Sequence, residues 1–182
     1  MHVLIVGGRG VGKSTLIRRV LEELNRPIFG FETKKETLLS ENEKGSPVYI
    51  YDVGAPRKQT SENLVGWCKD KCFVTMREAF DRYASKLHPP VPEGHIVLMD
   101  EIGFMESFSE DFCRAVLALL DGSAPVIAAV KNKDFPFLEA VRSHPNCRCF
   151  HITEENRDAL YTEVLAFMKA NLGAQQKGEG QA

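Results

Sequence analysis

The chain has 182 residues, 43% hydrophobic and 26% charged, which suits one domain with a full core. Its formal net charge of -2 offers no global attraction to nucleic acid, so such a partner would need a local basic patch. No apolar run approaches the roughly 20 residues that span a bilayer, and the N-terminus enters a strand without a basic leader, so a cytoplasmic protein is expected.

The first element is the apolar strand His2 to Val6. It runs directly into Gly7-Gly8-Arg9-Gly10-Val11-Gly12-Lys13-Ser14-Thr15, which matches the phosphate-binding pattern G-x-x-x-x-G-K-[ST]. A loop that wraps a polyphosphate must bring its backbone N–H groups up to the oxygens, and Cβ atoms would obstruct that approach. A helix follows from about Lys13 to Asn25, with Leu16, Ile17, Val20, Leu21 and Leu24 at helical spacing. Its free N–H groups and positive dipole end aim at the same anion. Lys13 adds a point charge for the terminal phosphates, and Ser14 adds a hydroxyl ligand for Mg²⁺.

Pro27 stops the helix, and Ile28-Phe29-Gly30-Phe31 starts a second extended piece. Thr37-Leu38-Leu39 and Val48-Tyr49-Ile50-Tyr51 flank the polar stretch Glu41 to Pro47, which reads as a β-hairpin near residues 33–52. Lys34, Lys35 and Glu36 on its first arm read as a solvated face that could also border the phosphate site. From Gly54 to Lys71, Pro56, Arg57 and Lys58 suggest a surface loop, while Leu64, Val65 and Trp67 suggest packing. Thr75 to Leu87 reads as a helix opened by a Thr75–Glu78 capping box and ended by His88-Pro89-Pro90-Val91-Pro92.

His95 to Glu101 contains four consecutive apolar residues, as expected of a strand buried on both faces of a parallel sheet. Asp100 stands at its C-terminal end, where open α/β sheets bind ligands, and is expected to hold Mg²⁺. Glu101 is expected to orient or deprotonate the attacking water. Beyond Gly103, a helix from Ser109 to Leu120, a strand from Pro125 to Val130, a short helix from Phe137 to Ser143 and a strand from Cys147 to Ile152 follow. Thr153 caps a closing helix from about Glu154 to Leu172, and the tail 173–182 reads as disordered. This alternation predicts an α/β fold, a mainly parallel sheet with helices on both faces. The five cysteines describe no disulfide framework, and a zinc set of Cys68, Cys72, Cys147 and Cys149 is disfavoured against reduced thiols.

With these segments in order, the chain resembles the THEP1 family of nucleoside-triphosphatases, called cancer-related nucleoside-triphosphatases in animals. Four stretches carry the likeness: Gly7 to Thr15, Gly30-Phe31-Glu32-Thr33, Met99 to Glu106 leading to Phe112, and Ile152 to Asp158. The resemblance implies a RecA-like or kinase-like P-loop fold and Mg²⁺-dependent hydrolysis of the β–γ bond of ATP, GTP and other nucleoside triphosphates. It further implies that Asp100, Glu101, Ile102 and Gly103 contact nucleotide and that Asn156 and Arg157 lie near the nucleobase end. Two departures stand out: Phe104 replaces a lysine that the family commonly carries, and Lys34, Lys35 and Lys44 replace an arginine-containing hairpin.

The expected protein is a slow nucleoside-triphosphatase of broad base specificity, with Lys13 and Glu101 catalytic and Ser14 and Asp100 on the metal. No arginine is placed as a finger, although Arg57, Arg157 or a partner's arginine could serve. The rivals are a nucleotide or small-molecule kinase using the same loop, and a nucleotide-gated nucleic-acid accessory protein with a basic patch around Arg57, Lys58, Lys69 and Lys71. Nothing in the sequence indicates an oligomeric state.

Overall fold

A computed structural model describes residues 1–36, 45–69, 72–88 and 90–178, without side chains beyond residue 173. Thr37 to Leu39, Lys44 and Lys71 lie outside the described residues, as does the end of the tail, 179–182. In chain order the elements are β1 (His2–Gly7), α1 (Lys13–Leu24), β2 (Ile28–Lys35), β3 (Ser46–Asp52), β4 (Leu64–Lys69), β5 (Cys72–Thr75), α2 (Arg77–Ala84) and β6 (Ile96–Ile102). Then come α3 (Glu110–Asp121), β7 (Val126–Lys131), α4 (Pro136–Arg142), β8 (Cys147–His151) and α5 (Arg157–Gly178). The strands form one sheet in the order β5-β4-β3-β2-β6-β7-β1-β8. From β2 to β8 the pairing is parallel, and β3, β4 and β5 extend it antiparallel beyond β2.

Side chains alternate across a strand, so β1 feeds two cores at once. Leu4 and Val6 join the core beneath α2, α3 and α4, while Val3 and Ile5 join the core beneath α1 and α5. Because every residue of β1 is buried, water competes for none of its backbone pairs. β6 alternates in the same way. Val97 and Met99 face the first core, and Ile96 and Leu98 face α1. Asp100 therefore emerges on the α1 face, at the strand's C-terminal end. Gly30 lets β2 lie against β6: its φ is +127°, and a Cβ there would sit 2.0 Å from the Leu98 carbonyl oxygen.

The hairpin is β2 with β3, and its first arm runs without a break from Ile28 rather than starting near Thr37. In the stretch from Gly54 to Lys71, Pro56 to Lys58 lie in an exposed loop, and the residues expected to pack, Leu64, Val65 and Trp67, form β4, which β5 follows. A side chain at Gly66 of β4 would meet the Val74 backbone of β5 at 2.2 Å, so the glycine that obscures the strand pattern is what allows these strands to pair.

The Thr75–Glu78 capping box does not form. Thr75 belongs to β5 and its Oγ1 has no partner among the described residues; Met76 precedes the helix without a side-chain cap. The Met76 N–H donates to Val65 O at 2.9 Å, which ties residue 76 to the sheet and starts the helix one position later. Ser109 does cap α3, accepting from the Phe112 N–H at 3.1 Å. The last helix runs to Gly178, past the expected end at Leu172.

Candidate active site

The loop between β1 and α1 is shaped by its glycines. A Cβ at Gly7 would stand 2.7 Å from Ile152 Cγ2, so the exit of β1 packs against the chain leaving β8 only without a side chain. Gly10 and Gly12 have φ of +81° and +103°, the left-handed region that glycine enters without strain. Lys13 is 6% exposed and folds back over the loop, its ammonium donating to Gly7 O at 3.0 Å and Gly8 O at 2.6 Å. Burial lowers its pKa, opposed by the charge of Glu101. Arg9 and Thr15 are exposed and Val11 is half-buried.

Ser14 begins the exposed side of α1, and its hydroxyl donates to Asp100 Oδ1 at 2.7 Å, joining two segments 86 residues apart. The second carboxylate oxygen of Asp100 accepts from Lys34 Nζ, also at 2.7 Å. Lys34 comes from β2, whose Glu32 lies directly opposite Asp100 in the parallel register. Period-2 alternation then puts Lys34 on the same face, so of the two readings its sequence allowed, a solvated face or the border of the phosphate site, the second describes it.

Glu101 follows at an irregularity in the ladder: Asp100 pairs with Ala129 and Ile102 with Val130, leaving Glu101 between them. This two-against-one arrangement re-aims the side chain. Glu101 Oε1 is closed to solvent and lacks a hydrogen bond, and Lys131 Nζ at the end of β7 stands 3.4 Å from it. Ile102 is buried in the core. Gly103 is closely surrounded: a Cβ there would meet Lys131 Cδ at 3.0 Å and Glu106 Oε2 at 3.3 Å, so those side chains would have to give by a few tenths of an ångström.

Lys131 is a part of this site that sequence reasoning missed, and Glu106, quoted there only within the stretch Met99 to Glu106, was given no role. Glu106 is 3% exposed and accepts from the Gly103 N–H at 2.9 Å; burial pushes its carboxyl up to about 7. The position of Lys131 at the C-terminal end of a buried parallel strand was the available signal.

Arg157 opens α5 beside the loop, its Cδ 3.9 Å from where a Gly12 Cβ would be. Asn156 is occupied in the turn before it. The Asn156 amide donates to His151 O at 2.8 Å, and its Oδ1 accepts from the Thr153 N–H at 2.8 Å. Arg57 is bonded to Glu32 at the rim of a cleft of about 270 Å³ that opens from Ser14, Asp100 and Lys34 across Ile17 and Leu98. Cys72 lies on edge strand β5, and Cys147 and Cys149 lie on β8 at the opposite edge, so the four-cysteine set is not assembled.

The donors at the loop are one hydroxyl and one carboxylate. That set is too sparse to cage a metal alone. It fits Mg²⁺, which keeps several waters and is completed by substrate phosphates.

A family model described as NTPase matches residues 2–165. The nucleoside-triphosphatase THEP1 of Thermotoga maritima is 31% identical over 182 residues, covering 97% of this chain and 100% of that protein. A cancer-related nucleoside-triphosphatase homolog of Mus musculus is 26% identical, covering 93% of this chain and 97% of its own length. Among solved structures, the crystal structure of THEP1 from Aquifex aeolicus matches with a TM-score of 0.66 at 24% identity, covering 92% of this chain and 99% of that one. The solution structure of a human cancer-related nucleoside triphosphatase matches with a TM-score of 0.64 at 24% identity, over 93% and 97% of the two chains. At that identity the structures share the fold.

Proposed function

We propose, from the premise that this chain belongs to the NTPase family, that the loop at Gly7–Ser14 and the strand end at Asp100–Glu101 form one centre for hydrolysing nucleoside triphosphates. The protein is a nucleoside-triphosphatase. The observation that carries the assignment of residues is the 2.7 Å hydrogen bond from Ser14 to Asp100. It brings a phosphate cradle and an acidic strand end to one point.

In this reading, the N–H groups of Gly8 to Ser14 bind the β- and γ-phosphate oxygens. Lys13 leaves the carbonyls of Gly7 and Gly8 for the phosphates, where its charge is worth about 4 kcal/mol at 4 Å if the effective dielectric is near 20. Ser14 and Asp100 would hold Mg²⁺, which supplies charge neutralisation at the phosphoryl oxygens when bound. Glu101 accepts a proton from water as the water oxygen attacks Pγ. The bond from Pγ to the bridging oxygen breaks, and the nucleoside diphosphate departs with that electron pair.

Arg157 beside Gly12 supports a nucleoside end on the α5 side, with the terminal phosphate toward β6. Asn156 supports that end by shaping its turn. Among the described residues no arginine is bonded to Ser14, Asp100 or Glu101, and an arginine at the terminal phosphate contributes roughly 10³–10⁵ in rate, so turnover of the isolated protein is slow in this reading. Base use is broad in this reading. Residues 1–172 act as one P-loop domain, and the free cysteines suit a reducing compartment such as the cytoplasm.

The test is a double-mutant cycle on phosphate release, with a panel of nucleoside triphosphates and no acceptor. Ser14→Ala and Asp100→Asn should each cut Mg²⁺-dependent turnover, and the pair should lose far less than the sum of the two. Independent, additive losses would break the assignment. Release only in the presence of an added nucleoside or monophosphate would point instead to a kinase.

A further inference from the structure

We propose that Lys34 is a tethered cation of the reaction centre: it holds the Asp100 carboxylate before the metal–nucleotide arrives and moves onto the terminal phosphoryl oxygens once displaced. The inference rests on the reading of Ser14 and Asp100 as the metal pair.

The cations around the site have separate posts. Lys13 is bonded to the carbonyls of Gly7 and Gly8, and Lys131 stands beside Glu101. Arg57 is bonded to Glu32, and Arg157 lies across the loop beside Gly12. Among the described residues, Lys34 is the cation bonded to Asp100. Of the two carboxylate oxygens, one accepts from Ser14, a group that stays compatible with a metal, and the other accepts from an ammonium, which does not.

A divalent ion held by Asp100 repels a neighbouring ammonium twice as strongly as a monovalent one would, so Lys34 Nζ gives way when a metal arrives. It has somewhere to go. The Lys34 side chain is 27% exposed, where that of Asp100 is 5% exposed. Its four-carbon stem lets the ammonium relocate without backbone movement. β2 and β6 run parallel, and Lys34 lies two residues past their last pair, Glu32 with Asp100, at the C-terminal end of that ladder while still paired with Tyr49 of β3. The phosphate loop leaves β1 at that same end. Displaced from Asp100, Lys34 is free to meet the terminal phosphate, a second cation beside Lys13. The chain thereby carries, on its own β2, a charge of the kind an arginine finger supplies.

The experiment uses the full chain and two readouts: Mn²⁺ binding to nucleotide-free protein by electron paramagnetic resonance, and single-turnover hydrolysis at saturating Mn²⁺ and triphosphate. Asp100→Asn should weaken Mn²⁺ binding. Lys34→Met, having lost the competitor, should bind Mn²⁺ on the order of tenfold more tightly than the wild type, a change of about 1.4 kcal/mol. The same variant should hydrolyse on the order of 10²-fold more slowly, and Lys34→Arg should recover part of that rate. Tighter metal binding together with slower chemistry is a combination that a misfolded variant cannot give. Unchanged or weaker Mn²⁺ binding in Lys34→Met overturns the exchange, and an unchanged rate overturns the catalytic part. If Asp100→Asn binds Mn²⁺ as well as the wild type, the metal-pair reading itself falls.

Discussion

Glu101→Gln separates chemistry from structure at this site. The substitution keeps the shape of the side chain and removes both its charge and its basicity. Its structural cost follows from the pair with Lys131, 3.4 Å apart, with the two side chains 32% and 30% exposed. At an effective dielectric of 20 the gross attraction is about 5 kcal/mol. Solvent and side-chain entropy reduce exposed pairs to about 1 kcal/mol or less. Its chemical cost is far larger if Glu101 takes the proton from water, because a positioned base contributes roughly 10²–10⁴ in rate, or about 3–5 kcal/mol. The variant should melt within a few degrees of the wild type and bind a fluorescent non-hydrolysable triphosphate normally, yet release phosphate at least about 10²-fold more slowly. Three measurements on one preparation decide the matter: thermal unfolding, ligand titration and phosphate release at saturating substrate. Turnover within about threefold of wild type, or equal losses of binding and turnover, would refute the assignment of Glu101 as the base.

Lys13→Ala should weaken triphosphate binding and turnover together, because the charge it removes acts in both ground and transition states; titration calorimetry alongside phosphate release checks this. Glu106 predicts a pH dependence of stability. Its folded pKa lies at about 7 against 4.5 for a free side chain, so between those values the native state keeps a proton that the unfolded chain releases. Stability from this group is complete below the lower value and falls as pH rises through the window, by about 3 kcal/mol. Glu106→Gln, which can still accept from the Gly103 N–H, should flatten that part of the profile in denaturant titrations from pH 5 to 8. Gly30→Ala should cost at least about 3 kcal/mol, since it adds a left-handed strain and an overlap with Leu98 O. A melting temperature near wild type for that variant would mean that β2 and β6 are not so closely paired.

The legible parts were those written in contiguous residues. The phosphate loop carries its own geometry in Gly7, Gly10 and Gly12, and the buried strands β1, β6 and β7 announce themselves as apolar runs. The parallel sheet follows from their alternation with helices. What escaped depended on pairing partners. Leu64, Val65 and Trp67 read as packed without showing a strand, since Gly66 between them serves the close approach of β5. The capping box at Thr75 fails because Met76 is held by Val65, a contact that local sequence does not contain. Lys34 reads as either solvated or bordering the site until the register sets Glu32 beside Asp100. A charge's role depends on which strand lies next to it.

Phe104 carries the same lesson into the site. The family resemblance puts a lysine at that position, and its replacement by an aromatic residue reads in sequence as a lost charge. In space, Lys131 reaches over from β7 and sets its ammonium 5.3 Å from the Phe104 ring centroid while standing beside Glu101. The aromatic face can hold a cation there, an attraction of about 0.5–2 kcal/mol. Gly103 fits the arrangement, because a side chain at that position would crowd Lys131. The positive charge next to the acidic pair is thus supplied by the neighbouring strand. With Lys34 beside Asp100 and Lys131 beside Glu101, each carboxylate is paired with a cation from a flanking strand.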